Sequence, residues 1–434
     1  MKNLNRLAEL ARQLEQQTTV CKRCGICQSV CPLFPLSRLE KDIARGKIAV
    51  LEGVMTEVVK NAETVLAQLN RCLLCGRCAA ACPNGVDTEA IFLQARSLLS
   101  AYLGLSPVKK FLFRQILAHP RRFDRAVRLA EIVQPVFFQS ASASTAARRP
   151  RRITAAILSG RHVPALAPVP LHCSISPSDQ KQAPAGGERV VFFSGCLIDK
   201  IFPAVGQASL DALQHHGFQP GLLEEEACCG IPALSSGDQS AFEELLARNL
   251  FRLEPQRFTR LVTACATCAF TIKILWPKMA GPDHPQIEKI RAVAEKTIDI
   301  TALIAGRLPA DPPAAAAGAE PVTYHDPCHL KTSLGISAAP RRLIASAPGY
   351  RLVEMEKADA CCGMGGGFGL AHPDLSAKIG RSKADHILAT GCRVVATACP
   401  ACMIQLSGLL APLAGEDFRV CHPIELYMQQ FDRN

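Results

Sequence analysis

Two short runs of cysteine hold the densest chemistry in the sequence. Cys21, Cys24, Cys27 and Cys31 precede Pro32 in a C-x2-C-x2-C-x3-C-P pattern, and Cys72, Cys75, Cys78 and Cys82 repeat it before Pro83. With this spacing three thiolates on one tight loop reach three irons of a cube, and the fourth, at the start of a helix, crosses to the other cube. The pattern therefore calls for two [4Fe-4S] clusters that exchange ligands. Cys21, Cys24, Cys27 and Cys82 are assigned to cluster one, and Cys72, Cys75, Cys78 and Cys31 to cluster two. Gly25 and Gly76 leave room for backbone amides to turn toward sulfide. Zinc ribbons also use C-x2-C pairs, but eight cysteines with two C-P endings favour cubanes.

A second constellation follows. Cys196, Cys228, Cys229, Cys265 and Cys268 recur as Cys328, Cys361, Cys362, Cys399 and Cys402, displaced by 132 to 134 positions. The C-terminal half is thus a tandem duplication with a five-cysteine metal site in each copy. Five thiolates exceed the four that zinc or a cubane accepts, so one is spare or the cluster is unusual. His325 and His329 flank Cys328 and are placed to bond a sulfur, although capping or packing accounts for them equally well. Gly365, Gly366, Gly367 and Gly369 miss the dinucleotide spacing and read as a close backbone approach. Cys173, Cys392 and Cys421 stand outside both patterns and receive no chemistry.

The elements that must position these residues follow from composition and periodicity. A chain of 434 residues, 48% hydrophobic with a mean hydropathy of +0.13, is expected to form several globular domains. We read residues 1–103 as a helical ferredoxin domain, 104–138 as a helical segment, and 139–188 as an Ala/Pro/Arg-rich linker with one strand at 155–158. Residues 189–310 and 311–434 are the two cysteine-rich modules. In each module apolar strands (190–194 and 261–263; 322–325 and 393–396) run into cysteines and then helices, as in an open parallel α/β sheet whose ligands gather beyond the strands' carboxyl ends. The fold class is therefore multidomain, a helical dicluster domain followed by two tandem α/β modules with parallel sheets. Helix N-termini at Cys196 and Cys328 are expected to face the bound thiolate cluster.

The 21 cysteines, odd in number and clustered in C-x-x-C pairs, suit thiolate ligands better than disulfides and place the chain in a reducing compartment, the cytoplasm. No apolar run reaches membrane-spanning length, so a membrane role is expected to be peripheral, at the inner face of the cytoplasmic membrane. The net charge of +11 is uneven, with Arg148, Arg149, Arg151, Arg152 and Arg161 in the linker and Lys109, Lys110, Arg114, Arg121 and Arg122 on the helical segment. No nucleic-acid module accompanies them, and no nucleic-acid partner is expected.

The ACCG segments at 227–230 and 360–363 resemble the CCG cysteine-rich domain family, and the interval between Cys31 and Cys72 resembles the insertion of helical ferredoxin domains in respiratory iron–sulfur subunits. A ferredoxin block followed by two CCG modules looks most like the glycolate oxidase and D-lactate dehydrogenase iron–sulfur subunits; related modules occur in heterodisulfide reductase and in anaerobic glycerol-3-phosphate dehydrogenase. The resemblance implies an electron-transfer subunit of an oxidoreductase complex. Its FAD-containing partner would oxidise glycolate or D-lactate, and the electrons would pass to quinone or another acceptor. No flavin fingerprint or catalytic triad is present, so the substrate-oxidising site is expected on the partner. In the CCG modules the resemblance favours a noncubane [4Fe-4S] cluster, with zinc as the alternative. Such a cluster would also suit a heterodisulfide reductase-like or quinone-reducing catalytic role for this chain.

Overall fold

The structure, a computed structural model, describes residues 2–56, 58–140, 147–150, 162–175, 187–414 and 418–431. The N-terminal region is helical. Helix Thr88–Leu103 starts where the Asp87 side chain accepts the Ala90 N–H at 3.1 Å, and it ends at Gly104. Ile91, Phe92, Leu93, Ala95 and Leu99 are all buried, so this helix lies within the helical region and not on its surface. Helices Ala44–Met55 and Ala62–Asn70 fill the interval between the two cysteine runs, and their Ile48, Leu51, Val65 and Leu69 close over it with Leu14.

The rest of the chain builds two four-stranded parallel sheets of one topology. Strands β4 (Glu188–Phe192), β5 (Phe218–Leu222), β6 (Arg260–Thr263) and β7 (Thr297–Asp299) are ordered β5-β4-β6-β7. Strands β8 (Glu320–Tyr324), β9 (Tyr350–Leu352), β10 (Val394–Ala396) and β11 (Arg419–Cys421) follow the same pattern, β9-β8-β10-β11. Val190↔Arg260 in the first sheet matches Val394↔Val322 in the second. Buried triplets such as Val394, Val395 and Ala396 read as continuous apolar runs because helices cover both faces. The repeat read from the cysteines is therefore a repeat of folds, and it contains four strands, β5, β7, β9 and β11, that the cysteine-led reading did not pick out.

The stretch read as linker is partly built into the fold. Strands β1 (Phe138–Ser140), β2 (Ala147–Pro150) and β3 (Val163–Pro164) make a small antiparallel sheet. Gln134 clasps its end by donating to Pro164 O at 2.9 Å and accepting from Leu166 N at 3.2 Å. Helix Leu171–Ser174 then packs Leu171, 1% exposed, against Gly206. The strand expected at 155–158, with Arg151, Arg152 and Arg161, lies outside the described residues.

Candidate metal centre

The two ferredoxin-type loops line two adjoining cavities. One is walled by Cys21, Cys24, Cys27 and Cys82 with Arg45 and Ile48. The other is walled by Cys31, Cys72, Cys75 and Cys78 with Lys47, Arg77, Glu89 and Phe92. Each cavity thus takes three cysteines from one run and the fourth from the other. Cys78 and Thr88 border both, and the Thr88 hydroxyl lies 3.0 Å from Cys78 Sγ. Gly25 and Gly76 adopt φ of +86° and +69°. A Cβ on Gly76 would meet Glu89 Oε2 at 2.7 Å, so the loop closes only around glycine.

The donor chemistry fits iron–sulfur clusters. Burial and neighbouring thiols push Cys75 and Cys78 well above the ordinary thiol range, and burial raises Cys31. These sulfurs can be thiolates together only around a strongly cationic core. Cations stand nearby. Lys47, 1% exposed, donates to Asp42 O; burial pulls its pKa down while Cys72 and Cys31 draw it back up. Arg96, 4% exposed, donates to Leu69 O, Cys72 O and Ser235 O at 2.7 to 2.8 Å, and so holds the second cysteine loop to the first cysteine-rich module.

In the two modules the five cysteines of each copy gather at the carboxyl ends of the strands, and the two groups meet. In the first, Cys228 Sγ is 3.9 Å from Cys196 Sγ, and Cys229 is hydrogen-bonded by Cys228 and Cys268. In the second, Cys362 Sγ and Cys402 Sγ are 3.3 Å apart, with Cys361 bonded to Cys362. Cys265 of the first module then bonds Cys399 of the second, and beside them Ala266 N donates to Ala398 O at 3.1 Å. The thiols flanked by two thiol donors, Cys229, Cys362 and Cys399, are pulled well below the ordinary range by those bonds. Their neighbours Cys228, Cys268, Cys361 and Cys402 are pushed up by the thiols they bond and by burial. The sequence suggested two separate sites; the fold makes them one continuous row of sulfur.

That row reaches the ferredoxin-type loops. Cys75, Cys361, Leu73 and Phe368 pack in one buried cluster with Cys31 and Cys328 at its margin. The glycine run contributes here: Gly365, at φ +51°, leaves only 3.1 Å between an added Cβ and Leu73, so its close approach is to the cysteine loop. His329 ties three pieces together. Its Nε2 lies 3.0 Å from Leu74 O, its Nδ1 lies 3.1 Å from Thr267 Oγ1, and its ring stacks on Phe270 at 4.6 Å. Thr267 Oγ1 is in turn 3.5 Å from Cys399 Sγ. His325 sits with Cys362 and Cys402, their ligand atoms within 4.8 Å of one another.

Sequence reasoning missed the charges that make the two modules unlike. Asn249 and Lys383 occupy equivalent places in the repeat. Asn249 accepts from Ala227 N and donates to Cys228 O, whereas Lys383, 0% exposed, donates to Lys357 O and Ala358 O. Burial lowers the Lys383 pKa to about 8 against the pull of Cys362 and Cys361. Register-aligning the two copies would have exposed this exchange. The helix N-terminus at Cys196 lies beside the sulfurs, since a Cβ on Gly195 would meet Cys268 Sγ at 2.9 Å, but its first amides are not free. Half-buried Glu226 takes them, accepting from Ser194 N at 3.0 Å and Gly195 N at 2.6 Å. Burial raises the Glu226 pKa to about 8 in spite of those donors.

Two cavities walled by cysteine quartets, joined to a shared ten-cysteine site on paired parallel sheets, define an iron–sulfur protein of modular build. Comparison with known proteins agrees. A 4Fe-4S dicluster domain model matches residues 17–86, and the CCG cysteine-rich domain model matches 190–273 and 322–407. The chain is 29% identical to the probable glycolate oxidase iron–sulfur subunit of Bacillus subtilis, over 91% of this chain and 89% of that one. It is 31% identical to lactate utilization protein A of Exiguobacterium sp., covering 55% of this chain and 96% of the relative. A polypeptide of the dihydromethanophenazine:CoB–CoM heterodisulfide reductase of Methanosarcina barkeri is 27% identical over 89% of this chain and 88% of its own. The chain belongs to the family of oxidoreductase iron–sulfur subunits that carry a 4Fe-4S dicluster domain and two CCG domains.

Proposed function

We propose that the chain is the electron-transfer subunit of a flavin-dependent 2-hydroxyacid dehydrogenase complex. It would receive electrons from an FAD-containing partner that oxidises glycolate or D-lactate and pass them to quinone or another acceptor. The observation that carries this is the unbroken succession of cysteine sites from the first cavity through the second to the merged site, with Cys75 packed against Cys361 and Cys328. Cys21, Cys24, Cys27 and Cys82 would hold cluster one, and Cys31, Cys72, Cys75 and Cys78 cluster two. Cys196, Cys228, Cys229, Cys265 and Cys268 of one module and Cys328, Cys361, Cys362, Cys399 and Cys402 of the other would hold the remaining metal. A [4Fe-4S] cluster, when bound, supplies one-electron transfer. The chain's own contribution is to fix the spacing, exclude water, and set the local charge through Lys47, Arg96 and Lys383.

The relatives named for glycolate oxidase and lactate utilization support this partner class. No helix among the described residues is long and apolar enough to cross a membrane. A peripheral contact would suit the arm at 107–137, where Val108, Phe111, Leu129, Ile132 and Val136 are exposed beside Lys109 and Lys110. The merged thiol row, with His325 and His329 at hand, favours a second reading in which disulfide or quinone chemistry occurs on this chain. One experiment separates the two. The anaerobic chain is mixed with its flavoprotein partner and either glycolate, D-lactate or a heterodisulfide. Bleaching of the cluster absorbance that requires both partner and hydroxyacid supports the electron-transfer reading. Turnover of a disulfide by the reduced chain alone overturns it.

A further inference from the structure

A cluster of reactive groups lies apart from the metal sites. Of the 21 cysteines only Cys24 and Cys173 are exposed, and Cys173 belongs to neither quartet and to neither five-cysteine set. Cys173 Sγ is 3.2 Å from His172 Nε2. The other ring nitrogen, Nδ1, lies 2.9 and 3.0 Å from the two oxygens of Asp199, which also accepts the His172 backbone N–H at 3.0 Å. This is the order nucleophile, base, orienting carboxylate, all within hydrogen-bond reach. Leu171, buried against Gly206, fixes the short helix that presents it.

Further charged groups surround the imidazole. Asp124 and Asp199 face a single ammonium, Lys200, which contacts both and lies 3.3 Å from His172 Nδ1. Asp124 Oδ2 is 3.7 Å from His172 Nε2. Asp199 in turn acts on Glu226, a further acidic group near it. Two carboxylates thus face one ammonium beside the imidazole. Lys200 Nζ contacts both carboxylates, so an ammonium already stands between them.

We propose that Cys173, His172 and Asp199 form a thiol-modification site at which Cys173 exchanges with small disulfides. The Cys173 proton passes to His172 Nε2, and the sulfur attacks one sulfur of R–S–S–R. The Cys173–S–S–R bond forms as the S–S bond of the reagent breaks, and the RS⁻ released takes up the proton. The disulfide is the oxidant, so that the protein thiol is oxidised by the amount the departing half is reduced. Asp199 and Lys200 end the helix Gly195–Lys200 that carries Cys196 near its start, so an adduct at Cys173 bears directly on the element beneath the merged site.

The test uses the anaerobic, cluster-loaded full chain and 5,5′-dithiobis(2-nitrobenzoate), with the adduct mapped by mass spectrometry. At about pH 6.5, Cys173 should react about tenfold faster than the same cysteine in a synthetic peptide of residues 166–178. H172Q should remove most of that excess near pH 6.5 and little of it near pH 9, where any thiol is largely ionised. C173S should abolish the fast phase. Equal rates in chain and peptide, or a fast phase unchanged in H172Q, would overturn the proposal. Should H172Q fail to fold, the chain-to-peptide ratio decides alone.

Discussion

Replacing Lys47 by Met removes a buried positive charge from the wall of one cysteine cavity and leaves a side chain of similar length. Lys47 lines the cavity of Cys31, Cys72, Cys75 and Cys78 and not the neighbouring one, where Arg45 stands. At a separation of ~6 Å and an effective dielectric constant of about 20, one charge stabilises one added electron by about 3 kcal/mol. For a one-electron couple that corresponds to a fall in midpoint potential of about 120 mV. The lost donor to Asp42 O costs about 1–2 kcal/mol of stability, while the bidentate Arg71–Asp42 pair at 2.7 and 2.8 Å keeps the loop in place. The assay is a redox titration followed by electron paramagnetic resonance. One cubane signal should shift down by about 100 mV and the other by much less. A shift below about 20 mV, or equal shifts in both, would refute the assignment of Lys47 to a single cluster.

Three further perturbations test other parts of the account. Burial raises the Glu89 carboxyl to about 8, so between about pH 4.5 and about 8 the folded chain holds a proton that the unfolded chain has lost. Stability contributed by this neutral form is complete below the unfolded value and is lost as pH rises through the folded one, by up to about 1.4 kcal/mol per pH unit. Glu89→Gln should therefore flatten the decline of denaturation midpoint between pH 6 and 8, and an unchanged slope would contradict the raised carboxyl. Cys265→Ser cuts the thiol link to Cys399 and should lower metal in the cysteine-rich block while both cubane signals persist; full metal retention would show the link to be incidental. Asp238 caps helix Gln239–Arg252 through Ala241 N and grips Arg114 with both oxygens. Asp238→Ala should cost about 2–4 kcal/mol in chemical denaturation, and a loss under about 0.5 kcal/mol would mean that the pair is idle.

The cysteines were legible because their spacing is a covalent requirement of the cofactor, and a displacement of 132 to 134 positions is a signal that survives divergence of the residues between. Strands β4, β6, β8 and β10 were legible for the same reason, since each runs toward a cysteine. What could not be read depended on three-dimensional approach. Nothing local marks Cys265 as the partner of Cys399, or His329 as the link between Leu74 and Thr267. Glu226 looks like one more charge in the run Glu224–Glu226, yet it is the group that closes the helix at Cys196. Lys109, Lys110 and Arg121 do lie exposed as polar faces require, but Arg114 turns inward to Asp238, and several apolar residues of the same helices face solvent.

The central claim is that electrons leave the two cubanes for a redox-active site shared by the cysteine-rich modules. It is tested most directly by iron, sulfide and zinc analysis of the anaerobically purified chain, combined with electron paramagnetic resonance of its oxidised and reduced forms. The account predicts appreciably more than about eight irons per chain, with a signal in the oxidised state distinct from the two reduced cubanes. About eight irons, with zinc bound at the merged cysteine row, would contradict it.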